Sequence, residues 1–116
     1  MSHFELHAHL KIRPGQLEGF KAQAAELIRI TREQDTKTLR YDWFIKEDGT
    51  ECEVHEAYAN EEGLFEHNMH IMEARAVFFR DYAFDRGVRL RSRTWNRACC
   101  LGGSWVACYL EWSRHS

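Results

Sequence analysis

The 116-residue chain has no apolar run that approaches the roughly 20 residues needed to span a membrane as a helix. Its N-terminus lacks the basic start, apolar centre and small-residue cleavage site of a signal peptide, so we expect a cytoplasmic protein with reduced cysteines. None of its four cysteines forms a C-x-x-C pair, and adjacent cysteines such as Cys99 and Cys100 seldom bridge each other. These absences argue against a membrane protein, a disulfide scaffold and a cysteine-held metal site.

Charge is distributed unevenly along the chain. The net charge is -2, but residues 1–85 carry 10 Lys and Arg against 17 Asp and Glu, whereas residues 86–116 carry 6 Arg against 1 Glu. The basic part contains no recognised nucleic-acid-binding module and follows an acidic body, so we expect no nucleic-acid partner. The hydrophobic fraction of 44% and the length are those of a single globular domain.

The hydrophobic pattern predicts the element order strand, helix, strand, strand, helix. Apolar and polar residues alternate from Phe4 to Ile12, which is typical of a half-buried strand. The later predicted elements are a helix over 14–32, strands over 39–46 and 51–59 joined by an Asp-Gly turn, and a helix from Glu61, capped by Asn60, towards Tyr82. A further strand near 88–94 would complete the βαββαβ order of a ferredoxin-like α+β domain, with an antiparallel sheet and both helices on one face.

Three polar residues, Glu56, Tyr58 and His67, form the candidate site. Glu56 and Tyr58 share one face of their strand, and His67 lies on the apolar stripe of the following helix, so all three can face one cavity. A neutral imidazole beside a phenol or a carboxylate can take a proton from a bound phenolic substrate near neutral pH. The alternative is that His67 is a satisfied buried histidine and Tyr58 a core aromatic.

Neighbouring side chains are candidates for the wall of this cavity. The parity of the second strand groups Trp43 with Leu39, Tyr41 and Ile45, which indicates a core or pocket-wall position. Asn68 can donate to a developing oxyanion, although it is turned about 100° from His67 around the helix, and His70 is expected at the surface. The candidate pocket residues are Tyr41, Trp43, Leu64, Phe65, Asn68 and Ile71.

Histidines also occur on the opposite face of the first strand. His7 and His9 share that face, and the antiparallel third strand brings Glu53 or His55 beside them. Two or three histidines and a carboxylate can hold a divalent ion, but the same groups can instead hydrogen-bond at the border of a dimer interface. We expect no metal and no cofactor at the candidate catalytic site, and both interpretations of the histidine face stay open.

Four sequence features within about residues 3–85 resemble, in their order and spacing, those of a known protein family. They are the helix entry RPGQLEGF, the strand LRYDWF, the hairpin DGTECEV, and an aromatic followed nine residues later by histidine, here Tyr58 and His67. The segment resembles the antibiotic biosynthesis monooxygenase family, including its quinol monooxygenase-like members. In that family the aromatic is usually Trp, where this chain has Tyr58.

The resemblance implies a ferredoxin-like domain that forms a homodimer through its sheets, a dimeric α/β barrel with a pocket in each subunit. Some members oxidise phenolic polycyclic substrates or quinols with molecular oxygen and without metal or flavin, after the protein deprotonates the substrate. It implies His67 as base or substrate orienter, with Tyr58 and Glu56 positioning a small aromatic substrate. Because a fold does not fix function, the alternative is a non-catalytic dimeric domain that binds a small ligand or serves as an accessory.

Residues 86–116 differ from the rest in composition. They contain three of the four cysteines, three of the four tryptophans and six arginines, and no amphipathic period continues through them. The composition therefore predicts a core over 1–85 and an atypical segment over 86–116. Three interpretations of this segment are open: a divergent last strand with an arm, an exposed disordered tail, or a shifted reading frame.

Overall fold

A computed structural model describes residues 4–91 and 105–110. Its elements are β1 (Phe4–Ile12), α1 (Leu17–Gln34), β2 (Thr38–Lys46), β3 (Glu51–Tyr58), α2 (Glu61–Asp81), β4 (Ala83–Arg91) and β5 (Trp105–Leu110). The first six follow the order β-α-β-β-α-β and form a ferredoxin-like α+β fold, which confirms the predicted fold class. The fifth strand is an addition to that pattern.

All neighbouring strands are antiparallel, in the order β4-β1-β3-β2-β5. Strand alternation gives the sheet two different faces, and the helices pack on one of them. The core between sheet and helices includes Leu10, Trp43, Val54, Leu27, Phe20, Ile71 and Phe78. The opposite sheet face carries the polar alternates of the same strands, among them His7 and His55, which are direct partners across β1 and β3.

The β2–β3 hairpin forms at the predicted Asp-Gly turn. Gly49 has a φ of 74°, a left-handed conformation that residues with a Cβ rarely adopt. The Asp48 carboxylate accepts hydrogen bonds from the Thr50 backbone N–H at 3.0 Å and from the Thr50 hydroxyl at 2.6 Å. This local chemistry fixes the turn and with it the register of the two strands.

A β-bulge at Leu39 changes the predicted parity of β2. Thr38 pairs with Tyr58 and Arg40 pairs with Ala57, which are adjacent residues of β3. Leu39 is therefore an extra residue of β2 that has no partner position in β3. As a result Leu39 is 54% exposed, whereas Thr38 is 1% exposed. The sequence prediction that Leu39 shares a face with Trp43 is therefore wrong, because strict alternation does not hold across a bulge.

The last strand of the ferredoxin-like unit begins earlier than predicted. Helix α2 is continuous to Asp81, and β4 starts at Ala83 rather than near residue 88. Strand β4 also contains a register shift, at Gly87, whose φ is 125°. The Asp85 carboxylate accepts a hydrogen bond from the Gly87 N–H at 2.8 Å. This bulge places both Asp85 and Val88 beside the core-facing side of the sheet.

Neither helix within residues 4–91 combines the length and apolar character that a membrane crossing requires. Residues 92–104 and 111–116 of the atypical segment lie outside the described residues. The division of the chain after residue 85 and the three interpretations of the segment stay predictions.

Candidate active site

Helix α2 positions His67 between the helices and the sheet. The Asn60 side chain caps the helix by accepting from the Gly63 N–H at 3.0 Å, and Glu61 and Glu62 lie at its positive end. His67 is one of the buried residues of α2, only 2% exposed, on the stripe that also contains Ile71 and Phe78. Its ring lies 4.8 Å from the Tyr41 ring and 5.5 Å from the Tyr58 ring, measured between centroids.

A buried carboxylate, Asp35, orients His67. Asp35 follows α1 and is 1% exposed, and its Oδ2 lies 2.9 Å from His67 Nδ1. Its Oδ1 lies 2.6 Å from His70 Nδ1, and the Thr38 hydroxyl donates to Oδ2 at 2.6 Å. The hydrogen bond to Nδ1 leaves Nε2 of His67 without a partner among residues 4–91, and it favours the tautomer in which Nε2 is the proton acceptor.

The pKa of Asp35 reflects two opposing effects. Burial acts to raise the pKa of this carboxyl, but the hydrogen bonds from His67, His70 and Thr38 outweigh it and hold the pKa below the usual value of 3.8. Asp35 is therefore ionised at neutral pH and stabilises a positive charge on either imidazole. His70, which was expected at the surface, is partly exposed at 25%, and its Nδ1 is hydrogen-bonded to Asp35.

Glu56 and Tyr58 are hydrogen-bonded to each other. The Tyr58 hydroxyl donates to Glu56 Oε1 at 2.5 Å. Burial raises the pKa of Glu56 above its usual 4.5, although His67 and Tyr58 act in the opposite direction. Burial, followed by the charge of Glu56, raises the pKa of Tyr58 far above its usual 10, so Tyr58 keeps its proton at neutral pH. Tyr58 is thus a hydrogen-bond donor to Glu56 and does not accept a substrate proton.

A cavity of about 180 Å³ lies between the sheet and the helices. Of the predicted site and pocket residues, its wall includes Tyr41, Trp43, Glu56, His67, Asn68 and Ile71. Tyr58 is fully buried behind the wall, Leu64 is not part of it, and Phe65 is 74% exposed on the solvent side of α2. The wall thus differs from the predicted one at these three positions, because the helix turns Leu64 and Phe65 away and Tyr58 is bonded to Glu56.

Sequence reasoning missed several residues of the site. Asp35 lies in the link between α1 and β2, where no periodicity indicates a direction. Asp85 and Val88 both reach the cavity only because β4 is bulged. Arg75 could have been found, since it lies two helical turns after Asn68 on the same stripe; its Nη1 donates to the Asn68 side-chain oxygen at 2.9 Å.

The cavity wall combines aromatic and aliphatic side chains with a few convergent polar groups, which is typical of small-molecule sites. The polar groups are the His67 ring, the Glu56 and Asp85 carboxyls, the Asn68 amide and the Arg75 guanidinium. This set can accept a proton at one point and stabilise negative charge at another. A separate cluster that can hold a metal, formed by His7, Glu53 and His55, lies on the other face of the sheet.

Comparison with known proteins gives both a family and a fold. The family model described as antibiotic biosynthesis monooxygenase matches residues 4–70. No curated protein sequence matches the chain significantly.

Solved structures share the fold at low sequence identity. MupZ from Pseudomonas fluorescens is 24% identical, with a TM-score of 0.69 over 78% of this chain and 71% of MupZ. SnoaB from Streptomyces nogalater, described as a cofactor-independent oxygenase, is 8% identical, with a TM-score of 0.70 over 84% of this chain and 98% of SnoaB. Rv0793 from Mycobacterium tuberculosis is 20% identical, with a TM-score of 0.67 over 83% of this chain and 99% of Rv0793.

Proposed function

Because the chain belongs to the antibiotic biosynthesis monooxygenase family, we propose that it is a cofactor-independent monooxygenase that oxidises a small phenolic or quinol-type molecule with O2. The observation that carries the proposal is the buried Asp35–His67 pair at the wall of an aromatic cavity. The fold that it shares with SnoaB, which is described as a cofactor-independent oxygenase, supports the same reaction class.

His67 acts as the general base in this proposal. A substrate hydroxyl in the cavity donates its proton to Nε2, and ionised Asp35 stabilises the resulting imidazolium through Nδ1. Asn68 and Arg75 lie on the same wall and stabilise the substrate oxyanion. The hydrogen-bonded Tyr58–Glu56 pair holds the substrate ring in position, with Glu56 at the cavity and Tyr58 behind it.

The substrate anion then supplies the electrons for O2. In a hydroquinone, for example, one ring C–H becomes C–OH and the ring is oxidised to a hydroxyquinone: one oxygen atom of O2 enters the product, and the other leaves as water with the two hydrogen atoms that the substrate loses. The protein contributes the proton acceptor, the orientation and a site lined largely by apolar side chains.

The size of the cavity favours a substrate with few rings. An apolar cavity of about 150 Å³ is large enough to bind benzene, and this cavity is about 180 Å³ with polar groups on its wall. A substituted hydroquinone or a two-ring quinol therefore fits better than an extended polycyclic molecule.

We also propose that the protein is a homodimer that associates through the sheet faces. Both helices lie on one side of the sheet, so the opposite side is the surface that a second ferredoxin-like sheet can cover to form an α/β barrel. The pocket of each subunit lies on the helix side and stays separate from that interface.

An oxygen-electrode assay with hydroquinones, naphthohydroquinones and hydroxyanthrones tests the proposed reaction. We expect substrate-dependent O2 uptake that falls by about a hundredfold or more in His67→Ala, as is typical for loss of a general base. The matched control is His9→Gln, on the other sheet face, where His9 is bonded to Glu51 at 2.7 Å.

Two results would contradict the role of His67 or the enzyme assignment itself. O2 uptake unchanged in His67→Ala removes His67 from the reaction. Saturable binding of these molecules without O2 uptake supports the alternative, a non-catalytic dimeric domain that binds a small ligand; the mutual hydrogen bonding of the cavity's polar groups also suits such a domain.

A further inference from the structure

The sheet face opposite the cavity brings three metal-ligating side chains together. His7 of β1 is the direct partner of His55 of β3, and Glu53 lies two residues before His55 on the same face. The alternate residues of the same strands, including Ala8 and Val54, line the cavity. The cluster of His7, Glu53 and His55, called the sheet-face cluster below, is therefore separated from the candidate active site by the sheet itself.

The three side chains are already close to the separation that one ion requires. A ligand atom of each lies within 4.8 Å of the ligand atoms of the other two, and Glu53 Oε1 is 3.3 Å from His55 Nε2. Ligands bonded to Zn²⁺ at about 2.1 Å in a tetrahedron lie about 3.4 Å apart. Binding therefore needs a contraction of less than about 1.5 Å in the widest separation.

The histidine rings need one further adjustment. The His7 and His55 rings are stacked, with centroids 3.9 Å apart and planes 11° from parallel. Their in-plane nitrogen lone pairs therefore run side by side, and a shared ion requires one ring to turn about its Cβ–Cγ bond. That torsion has a broad, roughly two-fold preference in histidine, so the turn itself costs little torsional energy.

The burial of the Glu53 carboxylate favours the binding of a cation. Exposure is 3% for His7, 5% for Glu53 and 1% for His55. An ionised carboxylate at such a position is costly unless a positive charge compensates it. The nearest carboxylate on β2, Asp42, is the register partner of His55 and is bonded to Arg40 at 2.8 Å. Within the cluster Glu53 already pairs with His55, Oε1 to Nε2 at 3.3 Å, and a metal ion bound by both side chains would add positive charge beside this carboxylate.

We propose that the sheet-face cluster binds one Zn²⁺ ion per chain. Two imidazoles and one carboxylate are a donor set that suits Zn²⁺, and three protein ligands leave a fourth position for water or another donor. His9 is not a proposed ligand, because its Nε2 is hydrogen-bonded to the Glu51 carboxylate. The proposal does not depend on the monooxygenase assignment, since the His67 cavity is on the other side of the sheet.

Calorimetric titration of EDTA-stripped protein with Zn²⁺ tests this site. We expect one Zn²⁺ per chain in the wild type, and Glu53→Gln and His55→Gln each to weaken binding at least about tenfold. The matched control is His9→Gln, which removes a histidine from the same face outside the cluster and should bind as the wild type does. His67→Gln should also bind normally, which separates this test from that of the proposed reaction.

A second measurement covers variants that fail to fold. X-ray absorption of the Zn²⁺-loaded wild type should show imidazole nitrogen and oxygen ligands near 2.0–2.2 Å. Sulfur ligation near 2.3 Å would overturn the proposal and indicate the cysteines instead. Sub-stoichiometric metal in the wild type, or full affinity in both Glu53→Gln and His55→Gln, would overturn it as well.

Discussion

Asp35 connects more of the candidate site than any of its neighbours. One carboxylate accepts from both His67 and His70 and from the Thr38 hydroxyl, so it links the end of α1, the start of β2 and the middle of α2. These hydrogen bonds overcome the penalty of burial, and the pKa of Asp35 lies below 3.8 as a result. The same residue thus contributes to stability and sets the orientation of the proposed base.

Replacing Asp35 with Asn should lower the free energy of unfolding at pH 7 by about 1.5–3 kcal/mol, the range for a hydrogen-bonded charged group. The folded-state pKa is depressed, so this stabilisation is complete above pH 3.8 and is lost as the pH falls through the lower folded value. Urea unfolding of wild type and Asp35→Asn from pH 7 to pH 3 should show the difference shrinking below pH 3.8. Glu33→Gln, at an exposed ion pair, serves as control. A difference that grows below pH 3.8 would contradict this account.

At the scale of elements, two β-bulges determine which residues reach the site. The extra residue Leu39 lets Thr38 and Tyr41, three positions apart, lie on the same side of β2, where Thr38 meets Asp35 and Tyr41 meets His67. The bulge at Gly87 likewise lets Asp85 and Val88, three positions apart in β4, both line the cavity. Each bulge changes the alternation of its strand at a point beside the cavity.

The bulge in β2 predicts an unequal response to two similar truncations. Leu39→Ala should change the free energy of unfolding by less than about 0.5 kcal/mol, because Leu39 is exposed. Ile45→Ala in the same strand should cost about 2–5 kcal/mol, because Ile45 is 4% exposed in the core. Chemical denaturation of both variants checks the comparison. Equal losses would mean that β2 alternates without a bulge.

At the scale of the whole molecule, the single sheet separates two chemically different regions. The helix side contains the apolar core, the cavity and the Asp35–His67 pair. The opposite side contains the sheet-face cluster and the surface proposed for dimerisation. Helix α2 also exposes Phe65, Met69 and Met72 at helical spacing, a second apolar surface that a dimer test has to distinguish from the sheet.

Light scattering after size-exclusion chromatography should give twice the mass of one chain. Met69→Lys should leave that mass unchanged, because Met69 is 67% exposed on α2, away from the proposed sheet interface. A monomeric wild type would contradict the dimer, and dissociation by Met69→Lys would assign the interface to the helix instead.

The sequence by itself determined the elements that depend on local chemistry. Alternation in β1, the Asp-Gly turn, the Asn60 cap and the apolar stripe of α2 each act over a few residues, so the ferredoxin-like order and the buried position of His67 could be predicted. Only the tertiary structure decided which residues distant in sequence contact each other. Asp35 lies 32 residues from His67, and the strand register decided that His55 rather than Glu53 is the direct partner of His7. Such contacts depend on strand register and on bulges. A slip of one residue reverses the faces of a strand, and no local sequence pattern specifies the register or the bulge.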